Sequence, residues 1–204
     1  MSEAGATSRS YPKGERRRSE IVRAAFGAFS TVGYRNASMV QIAATVGVSR
    51  AGLLHHFPSK ESLLAAVLQE RDRVNASLFW DDFDATDGVE YFARLVRTIE
   101  HNASTPGAVG LYAILAAEAS DPDHPAHDFF IERYTWLRRE LREAFADVAS
   151  RGLLRDGVDP DGLEHDVIAL MDGLQVQWLL DPTSVDMAAR LRTRLQDLLT
   201  VPLP

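Results

Sequence analysis

The 204-residue chain has no cysteine. Disulfides, zinc-thiolate sites, iron-sulfur clusters and cysteine nucleophiles are therefore all excluded. Apolar runs are short, and none reaches the roughly 20 residues that a membrane helix requires. The opening stretch MSEAGATSRSYPKGERRR lacks the apolar core of a secretory signal, so a cytoplasmic chain with no membrane partner is expected. Alternating strand patterns and fixed-period repeats are missing as well. So are the glycine-flanked serine elbow, the phosphate-binding loop, the dinucleotide glycine pattern and the zinc-helix motif, which leaves catalysis little foothold. A hydrophobic content of 46% nevertheless supports a sizeable core.

Acidic residues outnumber basic ones, for a net charge of -7, but the charge is unevenly divided. Residues 1–60 carry nine Lys and Arg against three acids, and the remainder carries 13 against 26. A basic part followed by an acidic part suggests that only the first meets a polyanion.

Helical periodicity runs through nearly the whole chain. Ile21, Ala25, Phe29 and Val32 recur at helical steps and Gly33 stops the pattern. In NASMVQIAATVG, Ser38 can cap a short helix with Gln41 reaching back in a capping box, and Gly47 ends it. Ser49 then caps a second short helix that closes near Phe57 and Pro58, and Ser59 opens a long one. Beyond the acidic loop WDDFDATDG, helical segments are expected at about 88–103, 107–119, 127–151, 161–180 and 184–199.

Two short capped helices around a glycine turn make a helix-turn-helix. Ile42, Val46, Val48 and Leu53 are apolar where these helices must bury, and Ala43 is small where they cross. A helix of seven or eight residues is about 10–12 Å long and suits a major groove about 12 Å wide. Its N-terminal residues Ser49, Arg50, Ala51 and Gly52 would face base edges. Arg50 is the candidate for reading guanine, with a phosphate contact as the alternative.

With AAFGAFSTVGYRNASMVQIAATVGVSRAGLLHHFPSKESLL in view, residues 16–64 resemble the DNA-binding domain of the TetR family of bacterial transcriptional regulators. DGLQVQWLLDP, from Asp172 to Pro182, resembles a penultimate helix found in many members. The resemblance implies an all-α chain with an N-terminal three-helix helix-turn-helix domain plus a larger C-terminal helical ligand-binding and dimerisation domain, about nine helices in total. Expected borders are a basic arm at 1–14, the DNA-binding domain at 15–58 and the helical body at 59–204. The chain departs from the family pattern at Gly52, Leu54 and His56, where hydroxyl-bearing Thr and Tyr are more usual.

His55 and His56 admit three readings. Neighbours on a helix point about 100° apart and cannot easily close on one metal. One ring could be packed and the other solvated, or at least one could donate to a DNA phosphate, as the resemblance implies for His56. Arg16, Arg17 and Arg18 crowd the first turn of a helix, where the dipole disfavours cations, so DNA phosphate or Glu15 and Glu20 should offset them. Lys60 is placed alike, and the resemblance implies a phosphate contact there. Ser38 and Gln41 complete the DNA-contact candidates.

For the body, the resemblance and the composition together imply an effector pocket with Phe92, Tyr112, Tyr134, Gln175 and Trp178 as candidate lining. With no Lys or Arg on the stripes turned inward, a largely apolar ligand, neutral or cationic, is expected. Residues 161–199 are apolar over more than one face and should form a homodimer, with Val167, Leu170, Met171, Leu174, Leu191 and Leu195 as interface candidates. No cofactor or resident metal is expected, and the partners are duplex operator DNA, a second copy and a small molecule. The alternative, a small helical enzyme or metal-binding protein, rests on Asp121, Asp123, His124, His127 and Asp128 in DPDHPAHD. Loop-forming prolines and capping aspartates explain the same residues.

Overall fold

The computed structural model describes residues 12–80 and 87–204, so most of the arm expected at 1–14 and most of the acidic loop lie outside the described residues. Among the described residues the elements are nine α-helices: α1 Pro12–Asn36, α2 Met39–Thr45, α3 Arg50–His56, α4 Lys60–Phe79, α5 Gly88–Ala103, α6 Pro106–Glu118, α7 His127–Ser150, α8 Leu163–Leu180 and α9 Met187–Leu198. The chain divides into two compact units, 1–70 and 71–204. The division falls inside α4, whereas the sequence placed a border at its start.

In the first unit α1 packs on α2 and α2 on α3. Ile21, Ala25, Phe29, Ile42, Ala43, Leu53 and Phe57 are buried, while Val46 and Val48 are half-buried. Val32, read as part of the buried stripe, is 47% exposed. Helical geometry also does not end for good at Gly33. That glycine takes φ 77°, a conformation open to it for want of a Cβ, and a last turn continues to Asn36 beyond the kink. Ser38 stands at the N-cap of α2, but its side chain makes no capping hydrogen bond, so the box expected with Gln41 does not form. A reciprocal box forms instead at the start of α4, where Ser59 and Ser62 each accept the other's backbone N–H at 3.1 Å.

In the second unit α5 packs on α6, α7 and α9, while α8 packs on α6, α7 and α9. Phe92, Leu141, Phe145, Val148, Leu191 and Leu195 form the centre of its core. The two apolar faces of α8 are both used within the chain. Val167, Met171, Leu174, Leu191 and Leu195 are buried and Leu170 is half-buried. The five buried candidates are covered by their own chain, so of the six only Leu170 keeps surface to offer a partner. The apolar residues that α8 turns outward are Val176, 52% exposed, and Leu180, 83% exposed.

The approach of α5 to α7 is close at one point. Gly88 donates its N–H to Asp147 Oδ2 at 2.9 Å, and a Cβ on it would overlap the Ala144 carbonyl oxygen. Backbone cannot yield there as a flexible side chain can. Gly88→Ala should destabilise the second unit by about 2 kcal/mol or more, read as a lowered midpoint in urea unfolding.

Candidate nucleic-acid interface and ligand cavity

Helix α3 is set by its cap. Ser49 is extended, and its Oγ accepts the Gly52 N–H at 3.0 Å. A Cβ on Gly52 would stand 3.3 Å from that oxygen, so the small residue leaves the cap undisturbed. Arg50, Ala51 and His55 are exposed, Gly52 and His56 half-buried, and Leu53 anchors the helix beneath them. The two imidazoles meet edge to face, with centroids 5.7 Å apart. Gln41 is exposed and Ser38 half-buried.

The arginines of α1 do not act as one patch. Arg16 is exposed and bonds Glu20 at 3.2 Å. Arg17 donates to the Val46 carbonyl at 3.0 Å and pairs with Glu20 at 2.8 Å, so it ties α1 to the end of α2. Arg18 lies over the Phe57 ring. Lys60 donates to the Arg35 carbonyl at 3.0 Å, with its ammonium 4.6 Å above the Tyr34 ring. Cations are thus satisfied partly at carbonyls of helix ends, where orphan acceptors are found. Tyr34 in turn donates to Glu61 at 3.1 Å.

The second unit contains a partly open cavity of about 600 Å³. Leu95, Ile99, Val109, Phe130, Leu137 and Met171 give it apolar walls, and the rings of Trp80 and Tyr91 meet at a tilt of 49° with centroids 5.0 Å apart. Among the predicted lining residues Tyr112, Tyr134 and Gln175 are on the wall. Phe92 and Trp178 are corrected. Phe92 is fully buried with its ring 4.7 Å from Phe145, and Trp178 lines a separate recess with Pro182 and Arg192.

Polar groups are gathered at two places on this wall. Asp72 Oδ1 accepts Arg133 Nη1 at 2.7 Å and the Tyr112 hydroxyl at 3.2 Å, while Arg71 Nη2 donates to Asn102 Oδ1 at 2.9 Å. Both guanidiniums lie over the Tyr112 ring, at 4.5 and 5.0 Å. At the second place Tyr134 donates to Asp172 Oδ2 at 2.8 Å. Burial raises the pKa of both tyrosines and lowers that of Arg71, and it raises that of Asp172 against the opposing effects of Tyr134 and Arg133. The expectation that no Lys or Arg turns inward is therefore overturned by Arg71 and Arg133. A flanking cation was legible only as the neighbour of a stripe residue, Arg133 beside Tyr134, and that spacing does not say which way the long side chain bends.

In the segment Asp121–Asp128, His124 is buried and its Nδ1 accepts the Ala126 N–H at 3.2 Å, with Nε2 3.5 Å from Glu118. His127 Nδ1 is 2.8 Å from the Ala119 carbonyl. These rings brace a loop. Among the described residues no three His, Cys, Asp or Glu are grouped to hold a metal ion, and no helix is long and apolar enough to cross a membrane.

Residues 21–67 match the description "Bacterial regulatory proteins, tetR family", and residues 93–200, more than half of the chain, match "BetI-type transcriptional repressor, C-terminal". The chain belongs to the TetR family. The HTH-type transcriptional regulator RutR of Escherichia coli (strain K12) is 36% identical over 97 residues, 46% of this chain and 45% of that protein. UidR of the same strain is 34% identical over 87 residues, 42% and 44% of the two chains. The match thus spans less than half the length of these curated relatives. A regulator from Saccharomonospora viridis, solved with choline, shares the fold with a TM-score of 0.75 at 21% identity, over 92% of this chain and 100% of its own. TetR-family regulators bind DNA operators as dimers and bind small-molecule effectors. The family is one of regulators, and the enzyme alternative built on Asp121–Asp128 has no support.

Asp172 generates a pH prediction. A carboxyl whose folded pKa is raised holds its proton more tightly folded than unfolded. Its contribution to stability is present at acid pH and is lost as pH rises from the unfolded value, about 3.9, through the raised folded value. Asp172→Asn removes that loss. The variant's stability relative to the parent should increase with pH across this window and then level off, as followed by urea unfolding at stepped pH.

Proposed function

We propose that this chain is a ligand-responsive transcriptional repressor that binds a near-palindromic operator as a homodimer and releases it when a small organic molecule occupies the cavity of residues 71–204. The observation that carries the reading is the pairing, in one chain, of a capped and exposed α3 within a basic unit and a largely apolar cavity within an acidic unit. The choline held by the Saccharomonospora viridis regulator supports a small organic effector. The sign of regulation follows the repressor named in the C-terminal match.

Arg50 reads a base and Arg16, His55 and His56 contact phosphate. Arg17 and Lys60 hold the unit together through Val46 and Arg35 and offer phosphate only their remaining donors. The dimer forms through the outward face of α8, where Ala169, Gly173, Val176 and Leu180 follow at helical spacing and are exposed or half-buried. A twofold axis then places two copies of α3 about 34–36 Å apart along one DNA face. The effector acts only through a difference in affinity between the released and DNA-bound forms.

Selection from a random duplex pool should return a near-palindromic site whose affinity falls steeply with salt, as released counterions require. Arg50→Ala should cost about 1–3 kcal/mol and relax base preference at one position of each half-site. No enrichment of any sequence would remove the regulator reading. Leu180→Glu should give a monomer by light scattering and weaken operator binding; a dimer unchanged by this charge would place the interface on another face.

A further inference from the structure

The cavity wall carries two guanidiniums and two carboxylates, but their pairing is uneven. Arg71 and Arg133 both approach Asp72 Oδ1, at 3.9 and 2.7 Å, and the same oxygen also accepts the Tyr112 hydroxyl. Asn102 and the face of the Tyr112 ring supply neutral partners for Arg71, whose side chain is only 12% exposed. Asp172, the other carboxylate on the wall, feels the charge of Arg133 but is hydrogen-bonded to Tyr134, and among the described residues it stands within ion-pair distance of neither arginine. The two signs are also unequal in what they can do. A buried carboxyl relieves its charge by taking up a proton, and burial moves Asp172 in that direction. A guanidinium has no such exit. Among the described residues Arg71 therefore has no carboxylate nearer than 3.9 Å, and a ligand carboxylate would supply the close partner it lacks.

We propose that the cavity takes an organic anion, an apolar body bearing one carboxylate, and that this carboxylate replaces Asp72 as the partner of Arg133 and Arg71. The proposal rests on the reading of the chain as a ligand-responsive regulator and adds the chemistry of the ligand and the place where it acts. Carboxylate and guanidinium match in a two-pronged, charge-assisted geometry, and the apolar body finds Leu95, Ile99, Phe130 and Met171 on the walls. Asp72 sits on α4, which is one helix from Lys60 to Phe79 and belongs to both compact units. Its bonds to Tyr112 and Arg133 fasten α4 to α6 and α7, and Arg71 fastens it to α5 through Asn102. A ligand carboxylate competes with Asp72 for the same donors and so loosens the hold on the helix that begins directly after the reading helix.

The test uses three probes with one apolar body: 4-phenylbutyrate, 4-phenylbutanamide and 4-phenylbutylammonium, titrated calorimetrically into the full chain. The carboxylate should bind about tenfold or more tighter than the other two. Arg133→Met should abolish that preference. Asp72→Asn, which removes the internal competitor, should tighten carboxylate binding. Without ligand, this variant should also bind the selected operator about fivefold or more weakly than the parent. Tyr112→Phe keeps the ring and deletes one of Asp72's bonds, and should shift operator affinity in the same direction by less, with circular dichroism confirming that each variant is folded. Tightest binding by the ammonium, equal binding of all three, or no binding of any at millimolar concentration overturns the proposal. Operator binding by the ligand-free parent is a separate measurement. Its failure removes the regulator reading, whereas failure of the probe series with operator binding intact removes only the anion.

Discussion

A guanidinium cannot give up its charge, and two of them stand on the wall of a largely apolar cavity. That constraint organises the second unit. Arg71 and Arg133 must be met by acceptors, so Asp72, Asn102 and the face of Tyr112 are drawn to one place from α4, α5 and α6, while α7 supplies Arg133. Four helices are thereby joined through polar side chains beside a cavity that hydrophobic packing alone would favour closing. Tyr134 and Asp172 add a second polar bridge, between α7 and α8.

The first unit answers a different demand with the same residue types. It is small, and its helices end close together, so carbonyls at helix termini need partners. Arg17 on the Val46 carbonyl and Lys60 on the Arg35 carbonyl supply them. Arg18 and Lys60 also cover aromatic rings, those of Phe57 and Tyr34. Part of the basic surplus is consequently structural, and the part that projects freely is led by Arg50 at the start of α3. Positive charge in this basic segment therefore divides into cations that brace helix ends and aromatic rings and cations that remain exposed.

The order of the helices was legible because an amphipathic helix writes its period into the chain, and glycines, prolines and capping residues punctuate it. Ser49 caps as its position suggests, accepting a backbone N–H at the start of its helix. Ser38 satisfies the same local pattern and does not cap, since such a bond depends on a rotamer that spacing does not determine. The first unit was legible for a related reason: its contacts lie close in sequence, so periodicity and turn chemistry imply most of its packing.

The body was less legible because its contacts lie far apart. Apolar stripes on α8 and α9 announce burial but not against what, and Val167, Met171, Leu174, Leu191 and Leu195 turn inward to their own chain. Phe92 and Tyr112 look alike in sequence, as aromatic residues on amphipathic helices, yet one fills the core and the other lines the cavity. By itself the sequence determined the all-helical class, the helix order, the exposed start of α3 and the division of charge, since each follows from neighbours a few residues apart. Only the tertiary structure decided which apolar faces meet and that Arg71, Asp72, Tyr112 and Arg133 share one wall. Those residues come from three helices, with Asp72 and Arg133 61 positions apart, and no local rule states the distance between them.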